Sequence, residues 1–249
     1  MHFRCTSVHS KVGDAPPDRS RAVRVTRPTP PTATLVRVTE TRVERKERTR
    51  RAILDAALEL CEESSLVALS LRQVAKEVGI VPTGFYRHFE SIEELGLALV
   101  DESFASLRSM LRAVRQTDRF DGSFASIVDA SVDILLEHVH AHPRHFAFIA
   151  RERTAGQPSV RDAIRHEIEL CELELATDIA KLPAVADDWS TDDLRILSGL
   201  IVTAMVSTAE QVISGHGRRA VEERTAEVAR TQLRMVLIGA LQWRSSQRS

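Results

Sequence analysis

The chain has 249 residues, a formal charge of −1, 43% hydrophobic residues and 4% aromatic residues. That allows one large domain or two small ones around an aliphatic core. No run of ~18 uncharged apolar residues suggests a membrane span, no apolar stretch near the start suggests a secretory signal, and Cys5, Cys61 and Cys171 are too scattered for a disulfide framework. The expectation is a cytoplasmic protein with free thiols and no membrane partner. Charge is uneven: residues 1–51 hold 13 Lys and Arg against 5 Asp and Glu, or +8, leaving −9 for the rest. A basic end on an acidic body suits contact with a polyanion, or equally a solvated tail.

Residues 1–40, with Pro16-Pro17, Pro28 and Pro30-Pro31 and no apolar period, read as a disordered basic tail. Thr41–Glu62 reads as a helix, basic at first (Arg42, Arg45, Lys46, Arg48, Arg50, Arg51), then apolar on one face through Ile53, Ala57, Leu60 and Cys61. Residues 70–90 read as two short helices joined by a tight turn. Ser70 and Gln73 form a capping box, Leu71, Val74, Ala75 and Val78 make one apolar face, Gly79 ends the first helix, and Pro82 opens the second, spanning 82–89. This is the helix-turn-helix arrangement, in which the second helix lies in the DNA major groove. By pattern alone, an ordinary helical hairpin reads the same way.

Ser91-Ile-Glu-Glu94 is a second capping box, opening a helix to about 116 with Phe104, Leu107 and Leu111 facing inward. After a turn at 118–122, helices are expected at about 123–141, 143–153, 158–181, 190–214 and 218–244, separated by Pro143, Gly156-Gln-Pro158, Pro183 and Gly215-His-Gly217. The fold class is all-α, with roughly nine helices. The units expected are a tail at 1–40, a helix-turn-helix domain at 41–90 and a helical body at 91–249. Aliphatic residues in the last two helices, including Leu200, Ile201, Ala204, Val228, Val236 and Leu241, suit a two-fold four-helix interface.

Val74-Ala75-Lys76-Glu77-Val78-Gly79 and Tyr86-Arg87-His88-Phe89 resemble the DNA-binding domain of the TetR family of transcriptional regulators. The resemblance implies a homodimer on a palindromic operator in double-stranded DNA, with a small hydrophobic effector and no cofactor. Carried over by position, Thr83 and Gly84 come nearest base edges, and Tyr86 and His88 meet phosphates. Arg87 reaches a phosphate or a guanine edge. Ser70 and Arg72 are candidates for backbone contacts, and Arg48, Arg50 and Arg51 for sequence-independent attraction. Phe85 and Phe89 are expected to pack beneath the helix.

Gly84-Phe-Tyr-Arg-His-Phe89, Glu94-Leu-Gly-Leu97, Val100-Asp-Glu-Ser103 and the Arg-Glu-Arg stretch at 151–153 are similar to the FabR and DesT subgroup, although Gly84 stands where that subgroup has serine and the N-terminal tail departs from it. That similarity implies a repressor of lipid genes that senses long-chain acyl-CoA. Such a ligand needs a long apolar tunnel, for which Phe104, Leu107, Leu111, Phe124, Ile127, Phe146 and Met205 are candidates; the same residues are equally suited to a core. Arg151 and Arg153 suit phosphates, or ion pairs with neighbouring acids. A repressor of an efflux or catabolic operon shares this head and differs in ligand.

The one histidine cluster is His138-Val-His-Ala-His-Pro-Arg-His145. His138 and His142 stand at i, i+4, a spacing that can bind zinc. Pro143 interrupts the helix where a third ligand is needed, and no metal site is assigned. No nucleophile elbow, phosphate loop or dinucleotide fingerprint is present, so the chain is not read as an enzyme.

Overall fold

The computed structural model describes residues 41–115, 124–181, 189–215 and 217–244; side chains at 109, 111–115 and 124 are outside the description. The expected tail at 1–40 and turn at 118–122 therefore lie outside the described residues, as do the side chains of Leu111 and Phe124. The described residues contain nine α-helices, one 3-10 turn and no strand: α1 (Arg42–Leu60), the 3-10 turn Leu66–Ala68, α2 (Leu71–Val78), α3 (Pro82–Phe85), α4 (Ile92–Arg115), α5 (Phe124–Ala141), α6 (Pro143–Ala155), α7 (Pro158–Ile179), α8 (Thr191–Ser214) and α9 (Arg219–Gln242).

Local chemistry sets these boundaries. The Thr41 N–H donates to Glu44 Oε2 at 2.7 Å while the Glu44 N–H donates to Thr41 Oγ1 at 3.2 Å, a capping box that starts α1. Ser70 and Gln73 repeat it at α2, with N–H donors at 2.9 and 3.2 Å. Gly79 stops α2 at φ +72°, and the Ile80 N–H reaches back to the Ala75 carbonyl at 2.9 Å, a Schellman closure that requires a left-handed residue. Ser91 accepts from the Glu94 N–H at 3.0 Å, but the Glu94 carboxylate takes its bond from Glu90. The box at Ser91 is thus displaced by one residue, because the tight turn before it points the Glu90 N–H into reach.

One expectation needs correction. The second helix of the pair does not run to Phe89 as α-helix. It ends at Phe85 and continues as tight turns, with His88 N–H donating to the Phe85 carbonyl at 2.8 Å and Arg87 N–H to that of Gly84 at 3.3 Å. Glycine in the middle of so short a helix weakens it by ~1 kcal/mol relative to alanine, and the closer i→i+3 pairing takes over.

The head has its own core. Ile53, Ala57, Leu66, Val74, Phe85 and Phe89 are buried together, and the cluster continues without a break through Leu95 and Leu99 of α4 to Val160 and Ile164 of α7. Gly96 permits that continuity: a Cβ there would sit 2.4 Å from Leu66 Cδ2 and 3.0 Å from Val160 Cγ2. Behind it, α8 packs against α5, α6, α7 and α9. Arg230 and Arg234 of α9 tie to Asp133 and Asp129 of α5 at 2.5 and 2.6 Å. By length and composition α8 is apolar enough to cross a membrane, with a mean hydropathy of 1.6 over its most apolar window. Its uncharged stretch is shorter than a span, because Arg195 and Glu210 bracket it.

Candidate nucleic-acid interface and ligand cavity

Phe85 and Phe89 are buried with ring centroids 5.8 Å apart and form the floor beneath the turn after α3. The same turn leaves Thr83, Tyr86 and Arg87 exposed, Tyr86 at 55%. Gly84 is half-buried, with nothing closer than 3.8 Å to a Cβ at that position. The geometry offers solvent a row of hydroxyl, phenol and guanidinium groups on a rigid aromatic base. Arg72 is exposed on α2, and so is Lys76 one turn later, which the reading of the sequence passed over although i, i+4 spacing puts the two on one side.

Other candidates are already engaged within the protein. Arg50 lies with its guanidinium carbon 4.3 Å from the Phe89 ring centroid and donates to the His88 carbonyl at 3.4 Å. Arg51 pairs with Glu102 of α4 while keeping most of its surface exposed. The Ser70 hydroxyl accepts from the Gln73 N–H and donates to the Gln73 side chain at 2.9 Å. His88 is half-buried, and its Nδ1 is buried with no hydrogen-bond partner among the described residues. Burial first, then the nearby Lys46, Arg50 and Arg87 charges, hold this imidazole below its ordinary value of 6.5. Arg48 is exposed on α1.

A cavity of about 550 Å³ lies in the body, lined by α4 to α9. Phe104, Leu107, Ile127, Phe146 and Met205 line it, and Phe104 and Phe146 are also core residues. Its wall on α8 runs from Leu197 through Ile201, Met205 and Ala209 to Glu210. At 1.5 Å per residue that is ~20 Å, the reach of a long acyl chain. The charged side chains on the wall are both acidic, Asp178 and Glu210. Each has a cation beside it: Lys181 at 2.9 Å from Asp178 and Arg153 at 2.8 Å from Glu210. Neither acid was foreseen, because both come from polar positions inside otherwise apolar helical stripes. Cys171 also lines the cavity, its thiol pushed up to about 11 mainly by burial.

The histidine cluster divides its contacts. The His138 and His142 rings lie with centroids 4.6 Å apart and planes tilted by 52°. His138 Nε2 is 3.1 Å from the Ser106 hydroxyl, and His145 Nδ1 is 3.0 Å from that of Ser103. Among the described residues no three metal-binding side chains converge.

Residues 53–99 match the family model described as bacterial regulatory proteins of the tetR family, which covers the end of α1 through α2, α3 and the first turns of α4. This segment is similar to the DNA-binding region of that family. Solved structures similar to this chain extend the likeness of fold to the body. A transcriptional regulator from Rhodococcus sp. RHA1 is 22% identical over 78% of this chain and 96% of its own, with a TM-score of 0.54. A TetR family regulator from Chloroflexus aurantiacus is 13% identical over 78% and 93%, at 0.52. The fatty acid degradation regulator FadR from Bacillus halodurans is 12% identical over 74% and 94%, at 0.59.

Proposed function

We propose that this regulator binds a palindromic operator as a homodimer, acts as a repressor, and changes its DNA affinity when a long hydrophobic ligand fills the cavity. The domains in this reading are the head at 41–90 and the body at 91–249, and the protein works in the cytoplasm on the nucleoid. The observation that carries it is the pairing, in one compact unit, of the exposed Thr83, Tyr86 and Arg87 row with the apolar cavity behind it. Dimerisation is supported by apolar residues left exposed on α8 and α9: Ile196, Leu200, Val228, Met235, Ile238 and Leu241. Exposed apolar side chains on two helices that pack on each other suit a self-association surface. Two recognition segments then read half-sites ~34 Å apart or more, and a ligand that favours one body conformation selects one separation.

For the ligand we infer a long-chain acyl-CoA controlling lipid metabolism genes, on the length of the apolar wall and on the resemblance at 84–103 and 151–153. A second reading, an efflux or catabolic operon with an unrelated ligand, draws on the lining: its charged side chains, Asp178 and Glu210, are acids already paired with Lys181 and Arg153, so no basic group among the described wall residues meets an anionic head. Isothermal titration with palmitoyl-CoA and with the lipophilic cation tetraphenylphosphonium separates the two. Saturable binding of palmitoyl-CoA alone supports the first reading, and binding of the cation alone sinks it. DNA selected by the protein from random fragments, with its mass in solution, tests operator and dimer: a palindrome and twice 27.8 kDa are expected.

A further inference from the structure

Arg151, Glu152 and Arg153 are consecutive on α6 and each grips a different element. Arg151 donates to the carbonyls of Cys61, Ser64 (2.8 Å) and Glu62 (2.9 Å), closing the end of α1. Arg153 pairs with Glu210 of α8 on the cavity wall. Glu152, fully buried, accepts the Leu66 N–H on Oε1 at 2.9 Å. Leu66 opens the 3-10 turn that leads directly into α2, and its side chain sits where Gly96 and Val160 leave room. Glu152 also has a made-to-fit seat, since a Cβ at Gly156 would lie 2.8 Å from Oε2 and 2.4 Å from the Glu152 carbonyl. Oε2 has no hydrogen-bond partner among the described residues.

A buried carboxylate with one spare oxygen is a poor device for stability, because desolvation offsets what the single bond returns. It is a good device for geometry: it offers the Leu66 amide one partner in one place. The neighbouring residues Phe146, Ile149 and Ala150 put the same helix against the cavity. We propose that Glu152 is a positioning residue: it fixes the head on the body through the Leu66 amide, and so sets the separation of the two recognition segments in the dimer. This rests on the dimeric operator reading above.

The test compares two DNAs, the full palindrome selected by the wild-type protein and the same length with one half-site scrambled. The wild type is expected to prefer the palindrome at least 100-fold. Glu152→Ala should lose tenfold or more on the palindrome and stay within twofold on the single half-site, because each head remains folded but no longer held at one spacing. Glu152→Gln, which keeps an acceptor oxygen for Leu66, should recover most of the loss. Palindrome affinity unchanged in Glu152→Ala overturns the proposal. So does an equal loss on both DNAs, which makes the residue one of head folding rather than of positioning. A wild type that binds both DNAs equally refutes the dimeric operator reading itself, and this role with it.

Discussion

Arg50 separates structural from DNA-contacting arginines. Its guanidinium covers Phe89 at 4.3 Å and reaches the His88 carbonyl at 3.4 Å, so it clamps α1 to the turn that carries Tyr86 and Arg87. A half-buried cation–π contact contributes ~0.5–2 kcal/mol, and a long hydrogen bond adds ~0.5–1 kcal/mol. Arg50→Ala should therefore cost about 1–3 kcal/mol and lower the melting temperature by roughly 5 °C for a chain of this size. Its effect on the salt dependence of operator binding should be small, because the group is occupied inside the protein. Arg87→Ala is expected to do the opposite. It leaves the melting temperature unchanged and, with one phosphate lost per subunit, reduces the slope of log K against log salt by about 0.9 per site. Thermal melts and anisotropy titrations between 50 and 300 mM salt read both quantities. An Arg50→Ala protein that melts like the wild type while its salt slope falls by about two per dimer would refute the reasoning.

Phe85→Ala removes the buried ring under the recognition turn and should destabilise the head by ~3–5 kcal/mol; operator binding retained at wild-type strength in a gel-shift titration would contradict the role of that floor. His88, His138 and His145 are all held below their ordinary value of 6.5, chiefly by burial. Just below pH 6.5 the unfolded chain thus binds more protons than the native one, so stability is full above that pH and falls as pH drops, until the native rings protonate. Urea midpoints measured from pH 8 to pH 5 should decline on the acid side, and the decline should shrink in a His138→Asn, His145→Asn protein. Met205→Trp adds bulk to the middle of the cavity wall and should abolish palmitoyl-CoA binding in calorimetry while operator affinity stays within twofold; undiminished ligand binding would place the ligand elsewhere.

The parts of this fold that depend on near neighbours in sequence were legible in advance. Ser70 with Gln73, Thr41 as a helix start, Gly79 at a left-handed stop and Pro143 and Pro158 at helix starts each act within a turn of chain. The choice of Thr83, Tyr86 and Arg87 came instead from the family resemblance, carried over by position. What was hidden depends on residues far apart: Arg50 with Phe89, Arg151 with the end of α1, Glu152 with Leu66 across 86 positions, and Arg153 with Glu210. A charged side chain in a sequence carries no mark of whether it ends against solvent or another helix. The four pocket candidates on α4 to α6 and Met205 were readable because a cavity in a helical bundle is lined by the same apolar stripes that make its core. Asp178 and Glu210 were not, since only the packing of α7 and α8 turns them toward the interior wall.

The most direct test is fluorescence anisotropy of the purified protein on its selected operator, at physiological salt, with and without palmitoyl-CoA. Tight, sequence-specific binding by a dimer is expected, with a change in affinity of tenfold or more when the ligand is added, about 1.4 kcal/mol of coupling. Binding no stronger than to random DNA of the same length would contradict it.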